Sequence, residues 1–143
     1  MGNYSDELNG IVSKLQRQGK MSFLPKASDV LIRAFEVRNN VILPERFKEW
    51  LLFSDGGEFF LPAGVQLYGV ARKPLIDVND SDRPNNSYIV IGALATGDPI
   101  LCEKSGERIS IYNQDAGRIE DDEVFTDFFD FLNKLGETLG KEG

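Results

Sequence analysis

Carboxylates are the abundant acid–base groups of this sequence: 23 Asp and Glu stand beside no His and a single Cys. Without an imidazole, no Ser–His or Cys–His nucleophile can be assembled. His-ligated zinc is excluded for the same reason, and one thiolate cannot hold a metal. Any catalysis would have to run on Asp, Glu, Tyr, Lys, Arg or a hard cation.

Three segments come nearest to a site. Gly92-Ala93-Leu94-Ala95-Thr96-Gly97-Asp98-Pro99 has two glycines at the spacing of a phosphate-binding loop. Asp98 stands where that loop needs Lys, and Pro99 where it needs Ser or Thr. Asp98 would repel a phosphate, so the segment reads as a hairpin turn. Asp77-Val78-Asn79-Asp80-Ser81-Asp82 could supply the first ligands of a calcium loop through Asp77, Asn79 and Ser81. Asp82 occupies the position that requires glycine, and Tyr88 the position of the closing Glu, which leaves a solvated loop. Glu120-Asp121-Asp122-Glu123 places four acids where a helix is expected to begin, and there they suit its dipole. No catalytic, cofactor-binding or metal-binding residue is assigned. A carboxylate- or metal-dependent hydrolase built on Asp77, Asp80, Asp82 or Asp98 is the remote alternative.

The elements that would carry these residues can be read from periodicity. Residues 5–18 form an amphipathic helix with Leu8, Ile11, Val12 and Leu15 on one face, capped by Ser5 and stopped by Gly19. A short linker with Pro25 follows. Ser28 or Asp29 caps a second helix bearing Val30, Leu31, Ala34 and Phe35, and Asn39-Asn40 ends it. Leu43-Pro44 opens a third helix with Phe47, Trp50 and Leu51 as its buried stripe. Ser54-Asp55-Gly56-Gly57 terminates it, with glycine taking the left-handed conformation of a helix end. Residues 58–61, 65–70, 88–94, 99–103 and 108–112 read as strands, the last three as antiparallel neighbours. Residues 71–86 read as a loop, with room for a helical turn. A last helix spans about 123–135, with Phe125, Phe128, Phe129, Leu132 and Leu135 on one face, capped by Asp121 or Asp122. Residues 137–143 are a frayed tail.

Helices, then a meander, then a helix make an α+β fold: a twisted, mainly antiparallel sheet with helices packed on one face. The 143 residues fit one domain, 1–143. Adjacent Phe59 and Phe60 point to opposite sides of their strand, so one of them is a candidate binding anchor.

Charge narrows the partners. Residues 1–48 hold 8 basic and 5 acidic groups, a balance of +3; residues 49–143 hold 8 and 18, a balance of −10. Such a surface repels nucleic acid and anionic lipid and attracts a basic protein. No apolar run approaches a membrane span, and no signal peptide is visible, so a cytoplasmic location is expected. Cys102 has no partner for a disulfide and reads as a small packing residue.

Leu43-Pro44-Glu45-Arg46-Phe47-Lys48-Glu49-Trp50-Leu51 followed by Asp55-Gly56-Gly57 resembles the signature of the SUKH superfamily. In that group a Leu-Pro helix with an aromatic residue runs into a polar-Gly-Gly turn. Ile91-Gly92, Gly97-Asp98-Pro99-Ile100 and Phe125-Thr126-Asp127-Phe128-Phe129-Asp130-Phe131-Leu132 follow the family order, and the likeness covers about 25–135. Asp55 stands where Asn is commoner, and Glu103 where the strand often carries Asp. The superfamily includes the yeast regulator of cell-wall glucan synthesis and many bacterial immunity proteins. The resemblance implies non-catalytic protein binding, first as an immunity protein against a basic toxin domain such as a nuclease. Its alternative is a regulatory scaffold of cell-wall synthesis or signalling. It also marks Leu43, Pro44, Phe47, Trp50, Asp55, Gly56, Gly57, Gly92, Gly97 and Asp98 as motif residues that build the fold or face a partner.

Overall fold

Leu8, Ile11, Val12 and Leu15 are all buried along one side of the first helix, α1, Asn3–Gln16. The computed structural model describes residues 3–17, 19–60, 64–71, 75–78, 87–104 and 106–134. Because α1 already begins at Asn3, Ser5 lies inside the helix and is not its cap. Gly19 donates its N–H to the Leu15 carbonyl at 3.1 Å and so closes the last turn.

The expected linker after α1 contains a strand, β1, Lys20–Ser22. It is three residues long, too short for alternation to reveal it, and exists because it pairs antiparallel with β2, Gly57–Phe60. Helix α2, Asp29–Asn39, is capped by the Ser28 hydroxyl, which accepts the Leu31 N–H at 3.2 Å. Asn40 ends it with φ 55, a left-handed C-terminus. Its buried face is Ile32 and Phe35; Val30, Leu31 and Ala34 are exposed, a correction to the expected stripe. Helix α3, Glu45–Phe53, buries Phe47, Trp50 and Leu51 as expected. It does not end in a left-handed residue: Ser54 is extended, and the positive φ angles fall on Gly56 and Gly57.

The rest of the sheet runs through β3, Val65–Leu67, β4, Tyr88–Leu94, β5, Pro99–Glu103, β6, Ile109–Asn113, and β7, Arg118–Phe125. Among the described residues the seven strands lie in the order β1-β2-β3-β4-β5-β6-β7, every neighbouring pair antiparallel. Strand β3 is shorter than expected, and isolated bridges Gly69–Leu75 and Asp77–Val90 continue its line. The helical turn considered within 71–86 falls mainly on residues outside the described ones, as does the tail.

Strand β7 overturns the expectation that residues 120–123 cap a helix. The acids lie on this strand at the edge of the sheet. Ser110 pairs with Val124 and Tyr112 with Ile119, so residues 120–123 stand opposite Ile111 alone, in a bulge. Charge on an edge strand blocks pairing with a further chain. Phe125 therefore belongs to a strand, and the last helix, α4, is Phe128–Lys134. Its cap is Asp127, whose Oδ1 accepts the Asp130 N–H at 2.8 Å, while Asp130 Oδ2 accepts the Thr126 N–H at 3.1 Å.

One face of the sheet carries Phe59, Val65, Leu67, Ile89, Ile91, Ile100, Cys102, Ile109 and Ile111 into a single core with the helices. Helix α3 contacts α1, α2 and α4. Phe47, Trp50, Phe128, Phe131 and Leu132 fill the helical side of that core.

Candidate functional site

The motif around α3 is a junction rather than a cleft. Leu43, Phe47, Trp50 and Asp55 are at most 1% exposed, and Pro44, Gly56 and Gly57 are buried with them. The Trp50 ring meets Phe59 edge-on at 5.6 Å and lies 6.1 Å from Phe128. Its Nε1–H donates to the Gly56 carbonyl at 3.1 Å, and the Ser54 hydroxyl donates to the same oxygen at 2.8 Å. Both glycines are required. A Cβ on Gly56 would lie 2.8 Å from the Leu67 carbonyl oxygen, and one on Gly57 2.9 Å from that of Ser22, each at positive φ.

The Asp55 carboxylate, buried beneath this turn, accepts the backbone N–H groups of Val70 at 2.7 Å and Ala71 at 3.0 Å. Both oxygens are used, which accounts for Asp in place of the commoner Asn. Phe59 is the residue of the Phe pair that the helices cover: at 1% exposure it is a core residue and not a surface anchor. The side chain of Phe60 lies outside the described ones.

The second motif group is a hairpin. Gly92 is buried in β4, Gly97 is exposed in the turn, and β5 follows at Pro99, so the segment is strand–turn–strand with no helix to receive a phosphate. Asp98 Oδ1 accepts the Gln114 N–H at 3.1 Å, tying the β4–β5 turn to the β6–β7 turn. Asp77 is exposed and pairs through its backbone with Val90; the remaining candidate calcium ligands fall outside the described residues. Among the described residues, no group of three or more His, Cys, Asp or Glu is placed to hold a metal. No described helix is long and apolar enough to cross a membrane. Cys102 is buried, and burial first, then the Glu103 and Glu107 carboxylates, push its thiol far above its ordinary value. It is neither a nucleophile nor a redox group in the folded chain.

Two features escaped the sequence reading. Glu107, on the β5–β6 connection, caps α3 from across the molecule: Oε2 accepts the Glu45 N–H at 2.7 Å. Pro44 at the cap position has no side-chain oxygen to do this. Arg46 then bridges Glu107 and Asp127, at 3.6 Å each, and so links the starts of α3 and α4. The second feature is the outer side of α2, where Val30 is 76% and Val37 70% exposed, with Ile42 at 60% just beyond. The sequence reading put Val30, Leu31, Ala34 and Phe35 in one stripe, and only packing shows that Ile32 and Phe35 take the inward side.

The molecule thus offers surfaces of opposite character: the acidic bulge on β7 and the apolar outer side of α2. A comparison with family models matches residues 26–134 to the SMI1 / KNR4 family (SUKH-1). A comparison with curated proteins finds no match.

Proposed function

The chain belongs to the SMI1 / KNR4 family (SUKH-1), and on that premise we propose that it is an immunity protein that neutralises a cognate toxin by binding it. Domains of this family act through protein–protein interaction, and the family includes both immunity proteins and SMI1/KNR4 regulators. The observation that carries the choice is charge. Residues 49–143 hold 18 acidic and 8 basic groups, and the edge strand β7 carries exposed Asp121 within its acidic bulge. Opposite charge speeds encounter with a basic domain, and nucleases that act on a polyanion are basic. The protein works without catalysis, in the cytoplasm of the cell that makes the toxin.

The test is co-expression with the product of the neighbouring gene, followed by affinity purification from the producing cell. Protection from the toxin and a stable complex are the expected results. The absence of both protection and a retained protein partner would sink the proposal. The family's regulatory members supply the second reading, a scaffold for cell-wall synthesis or signalling. Co-purification with wall-synthesising enzymes in place of a toxin would favour it.

A further inference from the structure

Helix α2 is apolar on two opposite sides. Ile32 and Phe35 point into the core, whereas Val30, Ala34 and Val37, at i, i+4 and i+7, form a stripe on the exposed side. Two adjoining hollows of about 660 Å³ each share Arg33, Glu36, Val37 and Lys48, so the stripe lies along one continuous groove that reaches Ile42 and Lys104.

The charges in this groove are not balanced. Glu36 is engaged from within: its Oε2 accepts the Leu43 N–H at 2.8 Å and pairs with Lys48 at 3.2 Å. Lys48 also meets Glu45 at 3.5 Å. Among the described residues no carboxylate lies within ion-pair distance of Arg33 or Lys104. Asp29 lines the hollow at the Val30 end, whereas at the Val37–Ile42 end the only lining carboxylate among the described residues is the paired Glu36. There an apolar floor bordered by Arg33 and Lys104 fits a segment with apolar residues at helical spacing and carboxylates between them.

We propose that the α2 groove binds a short, acidic, amphipathic segment of a partner protein, its apolar side chains on Val37 and Ile42 and its carboxylates on Arg33 and Lys104. A second copy of this chain is disfavoured because a two-fold contact through this groove would set Arg33 and Lys104 against the same cations of the other copy. An anionic membrane is disfavoured because two cations attract an extended anionic surface too weakly to offset the repulsion of a chain of net charge −7. The groove is separate from the acidic bulge, so this contact stands or falls independently of toxin binding.

Fluorescence anisotropy tests it with the full chain and a labelled 16-residue helical peptide bearing Leu at i, i+4 and i+7 and Glu between them. Saturable binding is expected, with the Lys-for-Glu peptide at least tenfold weaker. Arg33→Glu and Lys104→Glu, both on the surface, should each weaken the acidic peptide about tenfold and together restore binding of the basic one. Val37→Asp should abolish binding while the circular dichroism spectrum is kept. The proposal is overturned by equal binding of both peptides, by no binding of either, or by charge variants that bind like wild type. Vesicles of phosphatidylglycerol bound in place of the peptide, or self-association in sedimentation that Val37→Asp removes, would also overturn it by assigning the face to a membrane or to a second copy.

Discussion

The buried carboxylate of Asp55 accepts the backbone N–H of Val70 at 2.7 Å, across 15 residues of sequence, and so joins the turn after α3 to the exit of β3. A Cβ on neighbouring Gly69 would collide with Asp55 itself, through its carbonyl oxygen and its carboxylate. The close approach and the hydrogen bonds require each other. One buried residue therefore determines where the chain leaves the sheet.

Asp55→Asn should be destabilising despite its small change in shape. Asn offers one acceptor oxygen, so either Val70 or Ala71 would face an amide N–H₂ with its own N–H. The expected loss is about 1–3 kcal/mol, measured by urea denaturation. Amide exchange at Val70 or Ala71 should rise in parallel. Unchanged stability would mean that water replaces the lost acceptor.

Glu107→Ala removes the cap of α3 without touching the helix itself. A loss of about 0.5–2 kcal/mol is expected, with part retained in Glu107→Gln, which still accepts a hydrogen bond. A double-mutant cycle with Arg46→Ala should show coupling, because Arg46 meets Glu107 at 3.6 Å.

Cys102 makes a pH-dependent contribution whose sign follows from its burial. Its thiol is raised above the ordinary value of 9.0, so the folded chain keeps a proton that the unfolded chain releases. The contribution is fully present below that value and is lost as pH rises beyond it, by up to about 1.4 kcal/mol per pH unit. Wild type should lose stability above about pH 9 more steeply than Cys102→Ala. A thiol reagent should label Cys102 only on unfolding; rapid labelling of the native chain at pH 8 would contradict this.

Asp121→Lys, on the exposed bulge of β7, should leave stability within about 0.5 kcal/mol. With a basic cognate toxin the association rate should fall, and fall less at high salt. An association rate equal to wild type would remove the bulge from the steering surface.

The sequence alone was enough for several elements with a strong period and a local stop. The stripe of α1, the Phe47–Trp50–Leu51 face of α3 and the runs of β4 and β5 were legible because burial imposes spacing, and spacing survives in one dimension. The motif Leu43-Pro44 through Gly56-Gly57 was legible for a related reason, since a turn at positive φ against a neighbouring carbonyl admits little but glycine. What tertiary structure decided was pairing and direction. Strand β1 exists because β2 lies beside it, and residues 120–123 join an edge strand because β6 offers a ladder, although the same acids would suit a helix start. Glu107 caps a helix 62 residues away, which no local signal encodes. The two apolar sides of α2 are equivalent in sequence; packing against α3 chose Ile32 and Phe35 for the core and left Val30 and Val37 outside. Local periodicity specifies that an element has faces, and only contact with the rest of the chain assigns each face its neighbour.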